Sequence, residues 1–389
     1  MPAPSTPPAP ADDRALLLLL WARLASLWQW LRSWFFSSTL LLVAGVLFLA
    51  FFIRSRAEDN LLTIFLAYLP VWVLVLPLLG TLLGSLLFLC WRSALLSLSS
   101  ALFIVIWLGG YCFTSGFTPT QPSGENILSV MTYNRGQGSD KGLAVFASAQ
   151  RPDIAVFQDA GRRLTQLAAL PEFMHCRYTY QSGEYALLSR WPLVENTSLD
   201  LDFPAGKTPV WRAGTRSVID WQGRKIIVYN IHLPTPRDLL YWYAKHGTFL
   251  YGILGVIPYT PLYARHQQYL EYWTARVGLA AQLAARVRAE SAPVILMGDL
   301  NVPPLGRGYG LLHSVLQDAQ LSAGTGFGHT FPSNFKSIGR FFAPWIRIDH
   351  IFASAHWTVL SCSTPSGVMS QHLPVASLFS CEKDRSKEE

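Results

Sequence analysis

The stretch Val294-Ile295-Leu296-Met297-Gly298-Asp299-Leu300-Asn301-Val302-Pro303-Pro304 decides which fold and site we expect. The apolar run 294–297 predicts a buried strand, and Gly298 allows the backbone to turn sharply at its end. Asp299 and Asn301 are two residues apart, so their side chains should point to the same side. A carboxylate and an amide at the mouth of a sheet suit a hard cation and the phosphate it binds. Both residues are also common turn formers, so the rest of the chain has to decide.

Polar residues of the same kind stand at the ends of other apolar runs along the chain. Taken one at a time, each is more often a turn former or a hydrogen-bonded histidine than a catalytic group. Together, in this order and at the edges of apolar strands, they predict one site. They are Asn134 in Met-Thr-Tyr-Asn, Asp159 in Val-Phe-Gln-Asp, Asn230 and His232 in Tyr-Asn-Ile-His-Leu, Asp349 in Arg-Ile-Asp-His-Ile-Phe, and His372 in Ser-Gln-His-Leu-Pro-Val.

This ordered set resembles the endonuclease/exonuclease/phosphatase superfamily, and the resemblance covers residues 125–381. Members carry an Asn after the first strand, a Gln-Glu pair, Asn-x-His-Leu, Gly-Asp-x-Asn, Ile-Asp-x-Ile and a final Ser-Asp-His-x-Pro-Val. They include deoxyribonucleases, abasic-site endonucleases, inositol-polyphosphate phosphatases and neutral sphingomyelinase. The apolar N-terminal region is similar to that of the membrane-anchored VanJ-like branch.

The resemblance implies a fold, a cofactor and a role for each residue. The implied fold is an α/β (α+β) four-layer sandwich of two packed β-sheets flanked by helices, preceded by an N-terminal transmembrane helical region. Mg²⁺ or Mn²⁺ is the implied cofactor, because oxygen ligands and a substrate phosphate suit these ions. The resemblance implies that Asp159 and Asn134 bind the metal, and that Asp299 and Asn301 position the water and a phosphate oxygen. It implies that His372, oriented by Asp349, is the general base. His232 would donate a hydrogen bond to the phosphate or the leaving oxygen, and Asn230 belongs to the same catalytic set.

Two positions depart from the superfamily pattern. Asp159 stands where members have a glutamate, so the cation must lie closer or a water must bridge. Gln371 stands where members have an aspartate, and a neutral amide cannot supply charge to a second metal ion. Both departures leave the pair of His372 and Asp349 intact. They keep open the alternative of a binding domain that has lost catalysis.

Local patterns after residue 125 predict alternating strands and helices. Short β-rich runs predict strands at 126–133, 154–158, 184–189, 217–221, 225–231 and 294–297. Helical periodicity predicts helices at 143–150 and 263–290. Cys362 and Cys381 flank the last motif and could face each other across a terminal hairpin.

The N-terminal third is far more apolar than the remainder. Hydrophobic residues make up 51% of the 389 residues and charged residues 14%, which indicates membrane spans. Pro70 and Pro77 interrupt the second of three long apolar runs and predict a kink there. Residues 15–34 contain Arg23 and Arg32, which favour an interfacial amphipathic helix over a continuation of the first span. The predicted organisation is a disordered N-terminus and amphipathic helix at 1–33, three transmembrane helices within 34–113 (runs 35–53, 61–90 and 94–113), a linker at 114–125, the catalytic domain at 126–381 and a charged tail at 382–389.

The distribution of arginines favours one orientation in the membrane. Positive charge concentrates on the cytoplasmic side of membrane proteins, and here it favours a cytoplasmic N-terminus with an extracytoplasmic catalytic domain. The arginines on the predicted cytoplasmic side are Arg14, Arg23, Arg32 and Arg92, against Arg54 and Arg56 on the other side.

The sequence therefore predicts a metal-dependent phosphohydrolase acting at the membrane surface. Residues 239–247 are rich in Tyr and Trp, and residues 248–262 contain no charged residue, which suits either a bilayer interface or a loop packed on its own domain. The expected partners are the membrane and a phosphorylated lipid or other anionic phosphate ester. A nuclease with the same site is the alternative, although nucleic acid is the less favoured partner because the longest loop near the site is apolar.

Overall fold

The structure, a computed structural model, describes residues 13–113, 126–136, 142–205, 208–240, 249–333, 343–366 and 370–381. The predicted disordered N-terminus up to residue 12, the linker, the aromatic stretch at 241–248 and the charged tail lie outside the described residues. The chain divides into two compact units. One comprises Met1–Ala50 with Trp72–Val105, and the other comprises Phe51–Val71 with Ile106–Glu389.

The N-terminal apolar region forms helices that differ from the predicted arrangement. The first helix runs without a break through residues 33 and 34, so no helix end marks the boundary between the predicted interfacial helix and the first span, and the interfacial position of residues 15–34 stays a prediction. Its continuity follows from the sequence, since residues 13–44 contain no proline or glycine to interrupt it. The helices are α1 (Asp13–Arg56), α2 (Leu61–Tyr68), α3 (Trp72–Leu87) and α4 (Trp91–Trp107).

The second apolar run is broken where Pro70 stands. Helix α2 ends at Tyr68 and helix α3 begins at Trp72. Leu69 is extended, with φ −78° and ψ 154°, which is the conformation that a following proline imposes. Pro77, by contrast, lies inside α3. The kink predicted from these prolines is therefore confirmed at the first one.

The three predicted spans are supported only in part. By length and composition, α1 can cross a membrane, and the bent pair α2–α3 passes the same test if it counts as one span. Helix α4, with 17 residues, is shorter, and the third apolar run ends in a two-residue strand. A long apolar helix near the N-terminus is found in signal sequences as well as in membrane anchors.

The larger unit contains mixed strands and helices close to the predicted positions. The strand at Ile154–Gln158 and the helix at Leu143–Gln150 have the predicted bounds. The described strands are β1 (Cys112–Phe113), β2 (Ile127–Asn134), β3 (Ile154–Gln158), β4 (Tyr178–Ser182), β5 (Tyr185–Ser189), β6 (Leu193–Asp202), β7 (Val210–Trp221), β8 (Arg224–His232), β9 (Val294–Asp299), β10 (Gln317–Asp318), β11 (Thr325–Gly326), β12 (Asp349–Ala353), β13 (Trp357–Ser363) and β14 (Val375–Cys381). The helices are α5 (Leu143–Gln150), α6 (Leu164–Ala168), α7 (Arg237–Leu240), α8 (Phe249–Leu254), α9 (Pro261–Arg288), α10 (Arg307–His313) and α11 (Ala319–Ala323), with a 3-10 turn at Pro171–Phe173.

Two six-stranded mixed sheets form the centre of this unit. Their strand orders are β13-β14-β2-β3-β5-β4 and β10-β12-β9-β8-β7-β6. Strands β2 and β3 are parallel, as are β8 and β9, and the other pairings within these sheets are antiparallel. A smaller pairing joins β1 to β11.

Apolar side chains between the layers hold the sandwich together. One cluster fills the space between the two sheets and includes Val156 and Ile295. A second lies between the β2–β3 sheet and α5, and a third between the β8–β9 sheet and α9. Burial of this surface, at roughly 25 cal/mol per Å², is the main stabilising contribution to such a core. The predicted order of layers, helix, sheet, sheet and helix, is confirmed.

The expected proximity of Cys362 and Cys381 is wrong. The β13–β14 register places Cys381 opposite Trp357 and Cys362 opposite Ser377. Cys362 is therefore five residues further along β13, roughly 16 Å away at about 3.3 Å per residue. A disulfide needs Cα atoms within about 7 Å, so these two cysteines are too far apart to form one.

Candidate active site

The predicted site residues meet because the strand ends that carry them lie side by side. In one sheet His232 pairs with Asp299 across β8 and β9, and Asp349 pairs with Asp299 across β12 and β9. In the other sheet Asn134 ends β2, and its Nδ2 donates to Asp299 Oδ2 over 2.8 Å. Both sheets therefore present their polar ends to one place, centred on Asp299.

Gly298 is required for a reason other than the sharp turn expected at the end of the strand. Strand β9 continues through this residue to Asp299 instead of turning at it. A Cβ atom at Gly298 would lie 1.9 Å from the carbonyl oxygen of Ile231, and φ is +145°. The glycine is needed for the close approach of β9 to β8, which sets His232 beside Asp299.

His372 forms a buried pair with Asp349. Its Nδ1 lies 2.9 Å from Asp349 Oδ2, and its Nε2 lies 3.7 Å from Asp299 Oδ2. The main-chain N–H of His372 donates to Ser370 Oγ, and Phe331 packs against the ring. The imidazole is thus held at one nitrogen, while the other faces the carboxylate at the centre of the site. This is the arrangement that a general base requires.

His232 has a carboxylate partner that the sequence motifs do not reveal. Its Nδ1 lies 2.8 Å from Glu184 Oε1, and its Nε2 lies 3.6 Å from Asp299 Oδ2. Glu184 follows Gly183 in the turn between β4 and β5, where a charged residue is ordinary. It stands 48 positions from His232, so only the packing of the two sheets brings them together.

The carboxylates of the site raise the pKa of both histidines. Burial by itself lowers the pKa of His232, but the bond to Glu184 and the charge of Asp299 raise it to about 9. Burial also opposes a charge on His372, and Asp349 and Asp299 outweigh it, so that its pKa is raised as well. The bond from His232 holds the pKa of Glu184 below its usual range, although burial alone would raise it.

The donor set fits a divalent cation. Ligand atoms of Asp159, Glu184 and His232 lie within 4.8 Å of one another, and Asp299, Asp349 and His372 form a second such group. Four carboxylates and two imidazoles leave an excess of negative charge even when both imidazoles are protonated. Burial and the charge of Asp349 raise the pKa of Asp299, and Asp349 Oδ1 is buried without a hydrogen-bond partner among the described residues. A bound cation would compensate this charge.

Asn134 and Asn230 of the predicted set lie in different surroundings. Asn134 lines the cavity in front of the site, and its Oδ1 accepts the Gly136 N–H. Asn230 is fully buried between the sheets, where Gln158 Nε2 donates to its Oδ1 and its own Nδ2 donates to the Phe157 carbonyl. Asn230 therefore links the two sheets by hydrogen bonds close to His232 and does not line the cavity.

A cavity of about 560 Å³ opens onto the site and is lined by both polar and apolar residues. The polar residues include Asn134, Asp159, His232, Asp299, Asn301 and His372. The apolar and aromatic residues are Tyr68, Pro236, Leu240, Phe331, Trp345, Ile346 and Ile348.

One arginine lines the cavity among the described residues. Arg237 lines it, and its Nη2 donates to Gln371 Oε1 over 3.3 Å. Gln371 is the departure from the superfamily's aspartate, so an amide bonded to a cation stands where an acid is usual. Arg212 and Arg216 lie outside the cavity and form ion pairs with Asp200 and Glu290.

The two-sheet sandwich and the buried histidine–carboxylate cluster define a phosphoesterase fold. The sequence matches the Endonuclease/Exonuclease/phosphatase family over residues 126–372, more than half of the chain. The protein belongs to this family, and the superfamily predicted from the strand-end motifs is confirmed. Hydrolase chemistry on phosphate esters is the family's general activity.

Several solved structures are similar to this chain. An endonuclease/exonuclease/phosphatase from Beutenbergia cavernae DSM 12333 is 16% identical, with a TM-score of 0.45 and coverage of 66% of this chain and 72% of that chain. The mannosyl-6-phosphatase Bt3783 of Bacteroides thetaiotaomicron VPI-5482 is 19% identical (TM-score 0.41; 65% and 99% covered). Sphingomyelinase C from Streptomyces griseocarneus is 18% identical (TM-score 0.40; 66% and 99% covered). A comparison with curated proteins finds no match.

Proposed function

We propose that the protein is a membrane-anchored hydrolase that cleaves a phosphate ester of a lipid at the bilayer surface. One observation carries the proposal. The cavity is lined both by the histidine–carboxylate cluster and by apolar and aromatic residues that include Tyr68, Leu240 and Trp345. A phosphate group suits the polar lining residues and a hydrocarbon chain the apolar ones.

The chain's own residues provide for proton transfer in both directions. His372 Nε2, held by Asp349 at the other nitrogen, takes the proton of an attacking water as the water oxygen bonds to phosphorus. The ester P–O bond breaks, and protonated His232 gives its proton to the leaving oxygen. Asn301 lines the cavity and holds a phosphate oxygen. The products are a phosphate and an alcohol.

A divalent cation, Mg²⁺ or Mn²⁺, fits the acidic part of the site. Asp159 and Asn134, the ligands implied by the family pattern, both line the cavity, and Glu184 adds a second carboxylate beside Asp159. When bound, the cation would stabilise the negative charge that develops on the phosphate oxygens. The shorter Asp159 side chain is compatible with this because Glu184 supplies an oxygen on the same side.

An exposed apolar surface beside the cavity supports action at a membrane. Ile253 of α8 packs in one cluster with Leu240 and Tyr68 of the cavity wall. We call the exposed residues that continue from there the apolar lip. They are Tyr251, Leu254, Val256, Ile257 and Tyr259, each between 45% and 102% exposed. Apolar and aromatic side chains on a surface of this kind are typical of membrane interfaces.

The surroundings of the cavity favour a lipid over a nucleic acid. Among the described residues that line it, Arg237 is the one arginine and no lysine is present. A nuclease groove carries several basic side chains that neutralise successive phosphates. The VanJ-like branch and an extracytoplasmic catalytic domain, inferred from the apolar runs and the arginines, are part of the same proposal.

The first experiment tests the chemistry. The full chain in detergent is offered phospholipids, polyprenyl phosphates and DNA, with and without Mg²⁺ or Mn²⁺, and release of the phosphate product is followed. We expect turnover of a lipid ester that depends on the cation. His372→Ala and Asp299→Asn should each lower it by about 10²-fold or more, because each removes a group that transfers protons or stabilises charge. A folded variant with near wild-type turnover would remove that residue from the mechanism.

The second experiment tests the lip. Leu254→Asp and Ile257→Lys should reduce activity on substrate embedded in vesicles while sparing a short-chain, water-soluble ester. Val145→Asp, at an equally exposed apolar position on α5, is the matched control and should leave both activities unchanged. Equal loss on both substrates would mean that the lip stabilises the domain and does not contact lipid.

A further inference from the structure

The segment between α1 and α3 belongs to the compact unit that contains the active site. Residues Phe51–Val71 cluster with the catalytic domain and not with the other apolar helices. Leu61 and Ile64 of α2 are buried against Tyr269 and Trp273 of α9. A helix that the sequence assigns to the apolar N-terminal region is thus part of the catalytic domain's packing.

Glu58, in the segment between α1 and α2, packs closely against the residues at the start of α10. Glu58 Oε2 accepts the Gly308 N–H over 2.6 Å. A Cβ at Gly306, where φ is +90°, would lie 2.9 Å from Glu58 Cγ. Gly306, the residue before α10, therefore leaves room for the Glu58 side chain, while Gly308 within α10 supplies the N–H that Glu58 binds.

Tyr68, at the end of α2, reaches the catalytic loop that follows β9. Its hydroxyl donates to the carbonyl oxygen of Asn301 over 2.8 Å, and the buried Arg276 donates to the same oxygen over 2.7 Å. Arg276 also donates to the Tyr68 hydroxyl, and Trp345 Nε1 donates to the Tyr68 carbonyl oxygen. Two donors therefore converge on one peptide group of the site.

Asn301 needs such support because its backbone is left-handed. Its φ is +51°, a conformation that a residue other than glycine keeps only when its surroundings determine it. Its N–H donates to Asp299 Oδ1 and its Nδ2 donates to the Leu233 carbonyl. Any displacement of the Asn301 peptide would move both the Asp299 carboxylate and the amide that faces the cavity.

We propose that Tyr68 is a positioning residue of the active site, which acts through Asn301 and makes catalysis depend on the α2 segment. Three residues, Leu69 to Val71, separate Tyr68 from α3, so the residue that contacts the catalytic loop lies close along the chain to an apolar helix. The inference rests on the proposed phosphoesterase function and concerns a part of the chain outside the matched family domain.

The test compares hydroxyl deletions in the full chain, with bis(para-nitrophenyl) phosphate and para-nitrophenyl phosphate as water-soluble probes. Tyr68→Phe should lower kcat about tenfold and change KM by less than about twofold, since small misplacements of a catalytic group act on the rate. Tyr178→Phe removes an exposed hydroxyl elsewhere in the same unit and should change neither constant. The melting temperatures of the two variants should agree closely.

A double-variant cycle asks whether Tyr68 acts through Asn301. Asn301→Gly removes the side chain and tolerates the positive φ. In that background Tyr68→Phe should lower kcat by less than about twofold, because residues that act as a unit are not additive. An equal fall in both backgrounds, or a rise in KM without a fall in kcat, would overturn the inference.

The outcomes separate this inference from the proposed function. If the wild-type chain turns over neither probe nor any lipid ester, the proposed function fails and the inference fails with it. If wild-type turnover is present and Tyr68→Phe equals it, only the inference fails. Should Tyr68→Phe unfold, Glu58→Gln on the same segment serves instead: it should lower kcat severalfold at unchanged KM, and wild-type kcat in that variant would reject the role of the segment.

Discussion

Asp349→Asn is the sharpest test of the catalytic assignment, because it removes one charge and changes the side-chain volume little. The carboxylate lies 2.9 Å from His372 Nδ1. At that distance, two unit charges attract by about 6 kcal/mol at an effective dielectric constant of about 20. This attraction is the upper limit of the free energy by which Asp349 stabilises the imidazolium that forms when His372 takes a proton. We therefore expect kcat to fall by about 10²-fold to 10⁴-fold.

The pH profile should change in a defined direction. Asp349 raises the pKa of His372, and a general base works only in its deprotonated form. In the wild type the rate should therefore rise with pH above about 6.5, the ordinary histidine value. In Asp349→Asn the pKa of His372 falls. The rising limb of the pH–rate profile should therefore move to lower pH, while the maximal rate at high pH drops.

The assay is the rate of release of para-nitrophenol over a series of pH values, with the full chain at saturating Mg²⁺. Asp200→Asn serves as the control, because Asp200 is about half exposed and its partner Arg212 lies outside the cavity. The reasoning would be refuted if the folded Asp349→Asn variant kept turnover within about threefold of the wild type and an unmoved rising limb.

Three further predictions concern metal, stability and topology. Asp159→Glu or Gln371→Asp, each restoring a residue usual in the family, should tighten metal binding or change the preference between Mg²⁺ and Mn²⁺ in a calorimetric titration; unchanged titrations in both would place neither residue near the cation. Asp318→Asn should cost about 3–5 kcal/mol in guanidinium unfolding, because it leaves the buried Arg347 without the carboxylate that lies 2.7 Å away. Burial alone would raise the pKa of Asp318, but Arg347 holds it well below its usual range, so the stability this pair adds should be present above pH 4 or so and be lost on further acidification, a dependence absent from the variant. Single cysteines in the linker at 114–125 should react with a membrane-impermeant label in intact cells, whereas labelling only after lysis would reverse the proposed orientation.

The sequence alone determined the family and most of the polar site. The motifs around Asp299, Asp349 and His372 are local, and each places its residue at the end or start of an apolar run. Because strand ends of one kind meet at one edge of a sheet, order along the chain was enough to expect a single site. The apolar composition likewise predicted a helical N-terminal region, and Pro70 marked its break.

What surrounds these residues depended on tertiary structure. The contact of Glu184 with His232 spans 48 positions, and the bond from Tyr68 to Asn301 spans 233. Neither residue carries a local pattern that distinguishes it from a turn acid or an apolar-helix tyrosine. The register of β13 and β14, which keeps Cys362 from Cys381, also arises from pairing and not from propensity. Local periodicity specifies which face of an element is buried, but the partner on that face is chosen only when the layers pack.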